Sequence, residues 1–201
     1  MPAPDWFAKL LPGDLTAHQA EDLYRHYELL IRWNERMNLT TVEPGPEMVT
    51  RHYLESLFFA AHLPAAKPDI SILDVGSGAG FPGVPMAVAR PSWTVTLVES
   101  NQRKAVFLRE STRRLKNVHV LASRIEDIGS KADWLVARAV DPREVLKQQP
   151  RLAPNVGLLL GEHDFSAIRN EFDIAWGEPV RLPWGDQRLC VYGMFHVERS
   201  T

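Results

Sequence analysis

The sequence predicts an α/β protein whose mostly parallel sheet carries an antiparallel edge hairpin and is preceded by helices. Three observations point there. From Ile70 onward, five short runs rich in Val, Ile and Leu alternate with helical stretches, the texture of strands covered by helices on both faces. A glycine string, Gly76-Ser77-Gly78-Ala79-Gly80, joins the first run to the first of those helices. An acid, Glu99, closes the second run. Glycines followed ~20 residues later by a carboxylate mark the ligand-binding end of an open α/β sheet.

The elements follow in order. Thr16 is placed to cap a helix over Ala17–Met37, with Leu23, Tyr27, Leu30, Ile31 and Asn34 at helical spacing. Asn38–Val42 breaks that period and Pro44-Gly45-Pro46 makes a turn. A second helix, Glu47–Leu63, puts Val49, Tyr53 and Leu57 on one side, and Pro64–Asp69 is a short connection. The strand runs are Ile70–Val75, Trp93–Glu99, Val118–Leu121, Trp134–Ala137 and Val156–Leu160. The helices between and after them are Val84–Arg90, Gln102–Lys116, Pro142–Leu152 and Phe165–Phe172. Two more strands, Ile174–Leu182 and Arg188–Val197, flank the turn Pro183–Asp186 and form the hairpin. The chain thus divides into a helical extension, residues 1–68, and a sheet core, residues 69–201.

Composition narrows the function class. The chain has 201 residues, 45% of them apolar, enough for a packed interior. No apolar run approaches the ~20 residues of a membrane span, and Met1–Gly13 lacks the pattern of a secretory signal. A cytoplasmic monomer without a membrane partner is expected. The lone Cys190 can form neither an internal disulfide nor a cysteine-based zinc site, and no metal is expected. The net charge of -2 argues against a general polyanion binder, yet Asn101–Asn117 holds Arg103, Lys104, Arg109, Arg113, Arg114 and Lys116 against one acid, Glu110. If that segment is helical throughout, Arg109, Arg113 and Lys116 share a face. Such a patch permits an RNA partner, and an ordinary solvated helix face is the alternative.

The glycine string admits two ligand classes. Gly78-x-Gly80-x-x-Gly83 matches the dinucleotide fingerprint literally. The frame from Gly76, preceded by Asp74, suits another ligand. A carboxylate at the strand end repels a pyrophosphate but suits S-adenosylmethionine, which carries a sulfonium and an amino group. Pro82 also has no N–H to offer a phosphate. S-adenosylmethionine is therefore the expected cofactor, held at Gly76 and Gly78, with Glu99 accepting from ribose hydroxyls.

The chemistry absent from the chain narrows the acceptor. The region after the fourth strand reads Arg138-Ala139-Val140-Asp141-Pro142, without the Asn/Asp-Pro-Pro-aromatic box of exocyclic-amine methylation. Pyrimidine C5 methylation needs a cysteine nucleophile, and Cys190 lies in the tail hairpin. Guanine N7, with a lone pair and no proton to lose, needs neither device; transfer to it is a matter of proximity and orientation. Arg138, at the end of the fourth strand, is placed to grip guanine or the donor, or else to pair with Asp141 or Glu144. Ser123-Arg124-Ile125-Glu126 follows the third strand, where an adenine-binding turn or a plain exposed loop would sit.

Arg32-Trp33-Asn34 with Asn38-Leu39-Thr40, then Arg51–Ser56, Asp74–Gly83, Ser123–Glu126 and Arg138-Ala139, taken in that order, resemble the RsmG (GidB) family. The resemblance implies a class I methyltransferase core with added N-terminal helices. It also implies N7 methylation of one guanine in small-subunit (16S) ribosomal RNA, with that RNA or the small ribosomal subunit as partner. Carried over by family pattern, the donor contacts are Gly76, Phe81, Ile125, Glu126 and Arg138. Asn38, Arg51 and His52, polar and ahead of the core, are expected on the substrate side, with capping and packing as the alternative. The chain departs from the family where a Lys often follows the fifth strand, here Gly161-Glu162, and where a Lys often stands in the last strand, here Gly193 or a neighbour. Other readings are a methyltransferase for another RNA or a small molecule, a non-catalytic S-adenosylmethionine-binding protein, and an NAD-dependent oxidoreductase.

Overall fold

The structure, a computed structural model, describes residues 2–184 and 187–195; the Gly185-Asp186 part of the expected turn and the end of the last strand at Val197 lie outside them. Helix α1 (Asp5–Ala8) precedes α2 (Ala17–Asn34), then α3 (Pro46–Met48), a π-helical segment (Val49–Leu54) and α4 (Glu55–His62). The sheet region runs β1 (Ser71–Val75), α5 (Gly83–Ala89), β2 (Thr94–Val98), α6 (Gln102–Thr112), β3 (Val118–Leu121), a 3-10 turn (Ile125–Asp127), β4 (Trp134–Arg138), α7 (Pro142–Leu152) and β5 (Asn155–Gly161). It closes with α8 (Glu162–Ile168), β6 (Ile174–Trp176), β7 (Val180–Arg181) and β8 (Arg188–Phe195).

The eight strands form one sheet in the order β3-β2-β1-β4-β5-β8-β6, with β7 also on β8. Strands β1 to β5 are parallel, and β8 runs antiparallel between β5 and the short β6 and β7. Strand order reverses at β1, so a crevice opens beyond the carboxyl ends of β1 and β4, where Val75 and Ala137 are partners. The tail expected as one strand over Ile174–Leu182 is two pieces, because Pro179 between β6 and β7 cannot donate to a ladder.

Local chemistry sets the helix ends. Thr16 caps α2 in a reciprocal box with Gln19, as its position predicts. Gln19 also donates to the Val88 carbonyl at 2.8 Å and ties α2 to α5. Helix α2 ends at Asn34 rather than Met37, because the Asn34 side chain accepts from the Leu39 and Thr40 N–H groups at 2.8 and 2.9 Å and holds the chain in a loop. Helix α6 stops at Thr112 rather than Lys116, so Arg113 and Lys116 leave the helix face that Arg109 occupies. Phe7 on α1, an element with no clear period in the sequence, is fully buried against Tyr24, Tyr27 and Tyr53.

The core has two halves. One face of the sheet shares a continuous apolar cluster with α5, α6 and the N-terminal helices, from Phe7 through Leu30, Tyr53 and Phe59 to Tyr192. The other face is covered by α7 and α8, through Val145, Leu146, Phe165 and Ile168. Among the described residues no helix is long and apolar enough to cross a membrane, and no group of three or more His, Cys, Asp and Glu side chains converges as a metal site.

Candidate active site

Strand β1 delivers the chain to the crevice and the glycine loop turns it back. Gly76 and Gly78 have φ of +68° and +55°, the left-handed region that disfavours any Cβ. The Gly76 and Ser77 N–H groups both donate to the Val98 carbonyl, at 2.9 and 3.1 Å, and pin the loop across the end of β2. A Cβ at Gly76 would lie 2.5 Å from Val140 Cγ2, whereas one at Gly78 would find nothing closer than the Gly76 carbonyl at 3.7 Å. Gly76 is thus a close approach, and Gly78 has room for a side chain at ordinary contact distance. Ala139, the residue before Val140, has a φ of +57°.

Glu99 lies beneath this loop. One of its oxygens accepts from Gly78 N–H at 3.0 Å and the other from Asn101 N–H at 2.8 Å. Each carboxylate oxygen keeps a second lone pair, so Glu99 can brace the loop and still accept from hydroxyls. Asp74 is built into the loop's support. It is fully buried, its Oδ2 accepts from Gly83 N–H at 3.0 Å, and burial pushes its pKa up to about 7. The carboxyl supports the loop from below through Oδ2, and Oδ1 has no hydrogen-bond partner among the described residues.

A cleft of about 240 Å³ opens beside the loop, lined by Gly76, Val98, Ser100, the Ser123–Glu126 turn and Val140. It brings together Gly76, Ile125 and Glu126 from the expected donor set. Sequence reasoning missed Ser100 and Val140, which no motif marks, and it missed Arg151. The Arg151 guanidinium donates to the carbonyls of Ile125 at 3.0 Å, Glu126 at 3.3 Å and Ile128, fixing the 3-10 turn from α7.

Arg138 does not line this cleft. It turns toward the N-terminal helices and is mostly buried, with its Nη2 3.1 Å from Glu55 Oε2. Nη2 also donates to the Arg51 carbonyl at 2.7 Å, and Nη1 donates to His52 Nδ1 at 3.1 Å. The local carboxylates are engaged elsewhere: Asp141 caps α7 and Glu144 pairs with Lys147. The partner is instead Glu55, for which nothing in the neighbouring sequence calls. Burial lowers the Arg138 pKa to about 10, against the opposing pull of Glu55, so the cation is retained. Burial raises the Glu55 pKa. Arg188 stands 3.5 Å from the same carboxylate.

Because Arg138 can only donate, His52 Nδ1 must accept, and the ring is the Nε2–H tautomer. Nε2 then donates to Thr40 Oγ1 at 2.7 Å. Burial, followed by the charge of Arg138, lowers the His52 pKa to about 3. The neutral ring stacks on Phe81 with centroids 4.8 Å apart. Phe81 therefore inserts its side chain among His26, His52 and Tyr53 and away from the cleft. Arg51 is exposed, 3.5 Å from Glu47, and Asn38 is exposed in the loop that Asn34 holds. Cys190 is buried within β8 and its thiol is pushed up to about 12 by burial, the behaviour of a small core residue.

The family departures also resolve. Gly193 pairs with Val156 and Trp176, away from the carboxyl edge, and a Cβ there would meet the Ile174 and Trp176 side chains, so no lysine fits. At the carboxyl edge, Gly161 pairs with Arg188, and that arginine supplies a positive charge where the sequence suggested a loss.

The chain matches the GidB family, described as rRNA small subunit methyltransferase G, over residues 19–160. It is 45% identical over 133 residues to a protein named ribosomal RNA small subunit methyltransferase G from Nitrosomonas eutropha, covering 64% of this chain and 60% of that protein. It is 44% identical over 147 residues to the protein of that name from Xanthomonas axonopodis pv. citri, covering 69% of this chain and 68% of the relative. The match thus spans about three fifths of the Nitrosomonas protein's length. Among solved structures, a SAM-dependent methyltransferase from Aquifex aeolicus aligns with TM-score 0.59 at 19% identity, over 75% of this chain and 94% of the other. Fibrillarin from Aeropyrum pernix, solved with natively bound S-adenosyl-L-methionine, aligns with TM-score 0.54 at 13% identity, over 70% and 74%. These likenesses identify the fold as that of class I methyltransferases.

Proposed function

Since the chain belongs to the rRNA small subunit methyltransferase G (GidB) family, we propose that it transfers a methyl group from S-adenosylmethionine to N7 of a guanine in small-subunit (16S) ribosomal RNA. The observation that carries this is the cleft at the strand-order reversal, where left-handed Gly76 opens onto Ile125 and Glu126 with Glu99 under the loop. The residues fit the cofactor. Gly76 has no Cβ to fill the cradle against Val140. The unused lone pairs of Glu99 suit ribose hydroxyls, and the Ser123–Glu126 turn suits an adenine ring. S-adenosylmethionine, when bound, supplies an electrophilic methyl group on a sulfonium.

The chain's own residues bind and orient. N7 carries no proton, so no general base is required, and the groups near the cleft match that. His52 is neutral with both ring nitrogens engaged, and Asp74 is sealed beneath the loop. Arg138 holds the N-terminal layer in register with the end of β4 through two hydrogen-bond acceptors and its ion pair with Glu55. On this reading residues 1–68 form the substrate-side layer over the core of residues 69–201. Asn38 and Arg51 are exposed there to meet RNA, and His52 and Arg138 position them. The reading implies a cytoplasmic enzyme working as a monomer.

The test is to incubate the protein with S-adenosylmethionine and small-subunit rRNA, naked or assembled, and to map N7-methylguanosine. One modified guanine is expected. Tight S-adenosylhomocysteine binding without RNA methylation would make the chain a binding protein, and tight NAD binding without it would make the chain an oxidoreductase.

A further inference from the structure

A second concavity lies outside the cleft. It is a groove of about 650 Å³ between the C-terminal half of α2 and the first turns of α6. Its floor is apolar: Trp33 and Met37 are half-buried there, and Val106 stands 50% exposed on α6. Arg32, Arg36 and Arg103 rim it, all exposed, together with Glu35 and Glu110. Among the described residues none of those three guanidinium groups lies within ion-pair distance of a carboxylate. Arg25, Arg51, Arg138, Arg143, Arg181 and Arg188 each do. The groove thus keeps three unneutralised cations beside two acids of its own, on a chain of net charge -2.

Its location matters as much as its charge. Arg103 is in the first turn of α6, three residues after Ser100, which lines the cleft. Asn101, the cap of that helix, has its N–H held by Glu99. At the other side, α2 runs into the loop whose Thr40 is bonded to His52 and through it to Arg138. One end of the groove, at Arg103, therefore lies beside the carboxyl end of β2 and the Ser100 wall of the cleft.

We propose that this groove binds single-stranded RNA flanking the target guanine, a reading that rests on the proposed methyl transfer to RNA. Phosphates are held by Arg32, Arg36 and Arg103, and an unstacked base lies on the floor of Trp33 and Val106. Cations tracking a backbone beside an aromatic platform are how single strands are bound. A duplex, whose bases are already stacked, cannot use that floor.

The test is the double charge reversal Arg36→Glu/Arg103→Glu, with folding checked by circular dichroism. For methylation of naked small-subunit rRNA, KM should rise at least about ten-fold, with S-adenosylhomocysteine affinity unchanged. The log–log salt dependence should be shallower by roughly 1.4, about 0.7 for each lost phosphate contact. A single-stranded oligoribonucleotide should quench tryptophan fluorescence in the wild type, less so in the reversal variant or in Trp33→Phe. This readout needs no methyl transfer. If the wild type methylates RNA and the reversal variant keeps its KM and salt slope, the groove inference is overturned. An effect confined to assembled particles, with oligonucleotide binding unchanged, also overturns it, by pointing to a ribosomal protein as occupant. If the wild type methylates no RNA, the proposed activity fails, and the fluorescence titration still decides the groove: quenching that depends on Trp33 and the arginines upholds it, and its absence overturns it.

Discussion

The cleft and the seam behind it are built by opposite means. The cleft is made of backbone: left-handed glycines, a 3-10 turn and N–H groups resting on Glu99. Its pieces come from the ends of successive strands, so short motifs specify it. The seam between the N-terminal helices and the core is made of side chains. Arg138 meets Glu55, His52 and the Arg51 carbonyl, 87 residues away in the last case. Backbone sites tolerate few residue types at a few positions, whereas a side-chain seam can be disturbed from either partner. Substitutions in the cleft should therefore strike donor binding, and substitutions in the seam should strike stability and methyl transfer together.

Gly76→Val should have the largest effect. The left-handed backbone alone costs roughly 1–2 kcal/mol with a side chain, and the new Cβ would lie 2.5 Å from Val140. S-adenosylhomocysteine binding should be abolished in calorimetry, with a measurable drop in Tm. Gly78→Ala has the same kind of backbone cost, but its Cβ meets the Gly76 carbonyl only at an ordinary 3.7 Å, so its stability loss should be the smaller. Wild-type donor affinity in Gly76→Val would remove the cleft from the mechanism.

Arg138→Lys comes next. A lysine keeps the charge but not the planar fork that reaches Glu55, His52 and the Arg51 carbonyl at once. Loss of a buried charged hydrogen bond is typically worth ~1.5–3 kcal/mol, or about ten- to a hundred-fold. Steady-state kinetics should show that loss in RNA methylation, with donor affinity changed less, because Arg138 faces the seam. A double-mutant cycle with Glu55→Gln should show coupling. Purely additive effects would separate the two residues and break the seam as a unit.

The seam should also be the acid-sensitive region. Burial lowers the pKa of His26 to about 4 and of His52 to about 3, from an ordinary 6.5. A depressed histidine contributes stability that is present above pH 6.5 and lost as pH falls toward the folded value. Urea midpoints should therefore fall from pH 6.5 to 4, His26 alone accounting for a loss on the order of 3 kcal/mol at full extent. Asp74, raised to about 7, acts in the opposite sense: its contribution is full below its ordinary 3.8 and fades as pH rises toward 7. His52→Asn should flatten part of the acid limb. An unchanged limb would mean that protonation is absorbed elsewhere.

This contrast also explains what could be read in advance. Helix α7 and strand β3 end where periodicity puts them, and the Thr16 cap follows from local pattern. The Gly76 loop and Glu99 are consecutive-segment features of the same kind. The seam was not legible, because Glu55 and Arg138 lie on separate helical and strand elements and only the packing of α4 on the sheet makes them neighbours. Nor does a 3.6-residue period reveal the π-helical turn at Val49–Leu54, the kind of irregularity often found at functional sites. It contains Arg51 and His52, the two residues that Arg138 grips besides Glu55. The ring of Phe81, a donor contact by family pattern, packs in the seam, so any contact with the donor falls to its backbone.

The smallest predicted effect tests the border between the two regions. Arg151 belongs to α7 and is not among the residues lining the cleft, yet its guanidinium gathers the carbonyls of Ile125, Glu126 and Ile128 behind the cleft's wall. In Arg151→Ala the carbonyl of exposed Glu126 turns to water, and the cavity left by the guanidinium lets water follow to those of Ile125 and Ile128. The fold should lose little, since ordinary hydrogen bonds exchanged for water are worth ~0.5–1.5 kcal/mol net. The turn, however, loses the side chain that sets its position beside Gly76. Donor affinity should fall by about two- to ten-fold, the same energy expressed in binding. Arg151→Lys, which supplies one point donor in place of a fork, should recover only part of it. The measurement is S-adenosylhomocysteine affinity by calorimetry alongside Tm for both variants. If Tm drops while affinity holds, Arg151 secures α7 rather than the cleft, and the cleft's geometry rests on its own backbone alone.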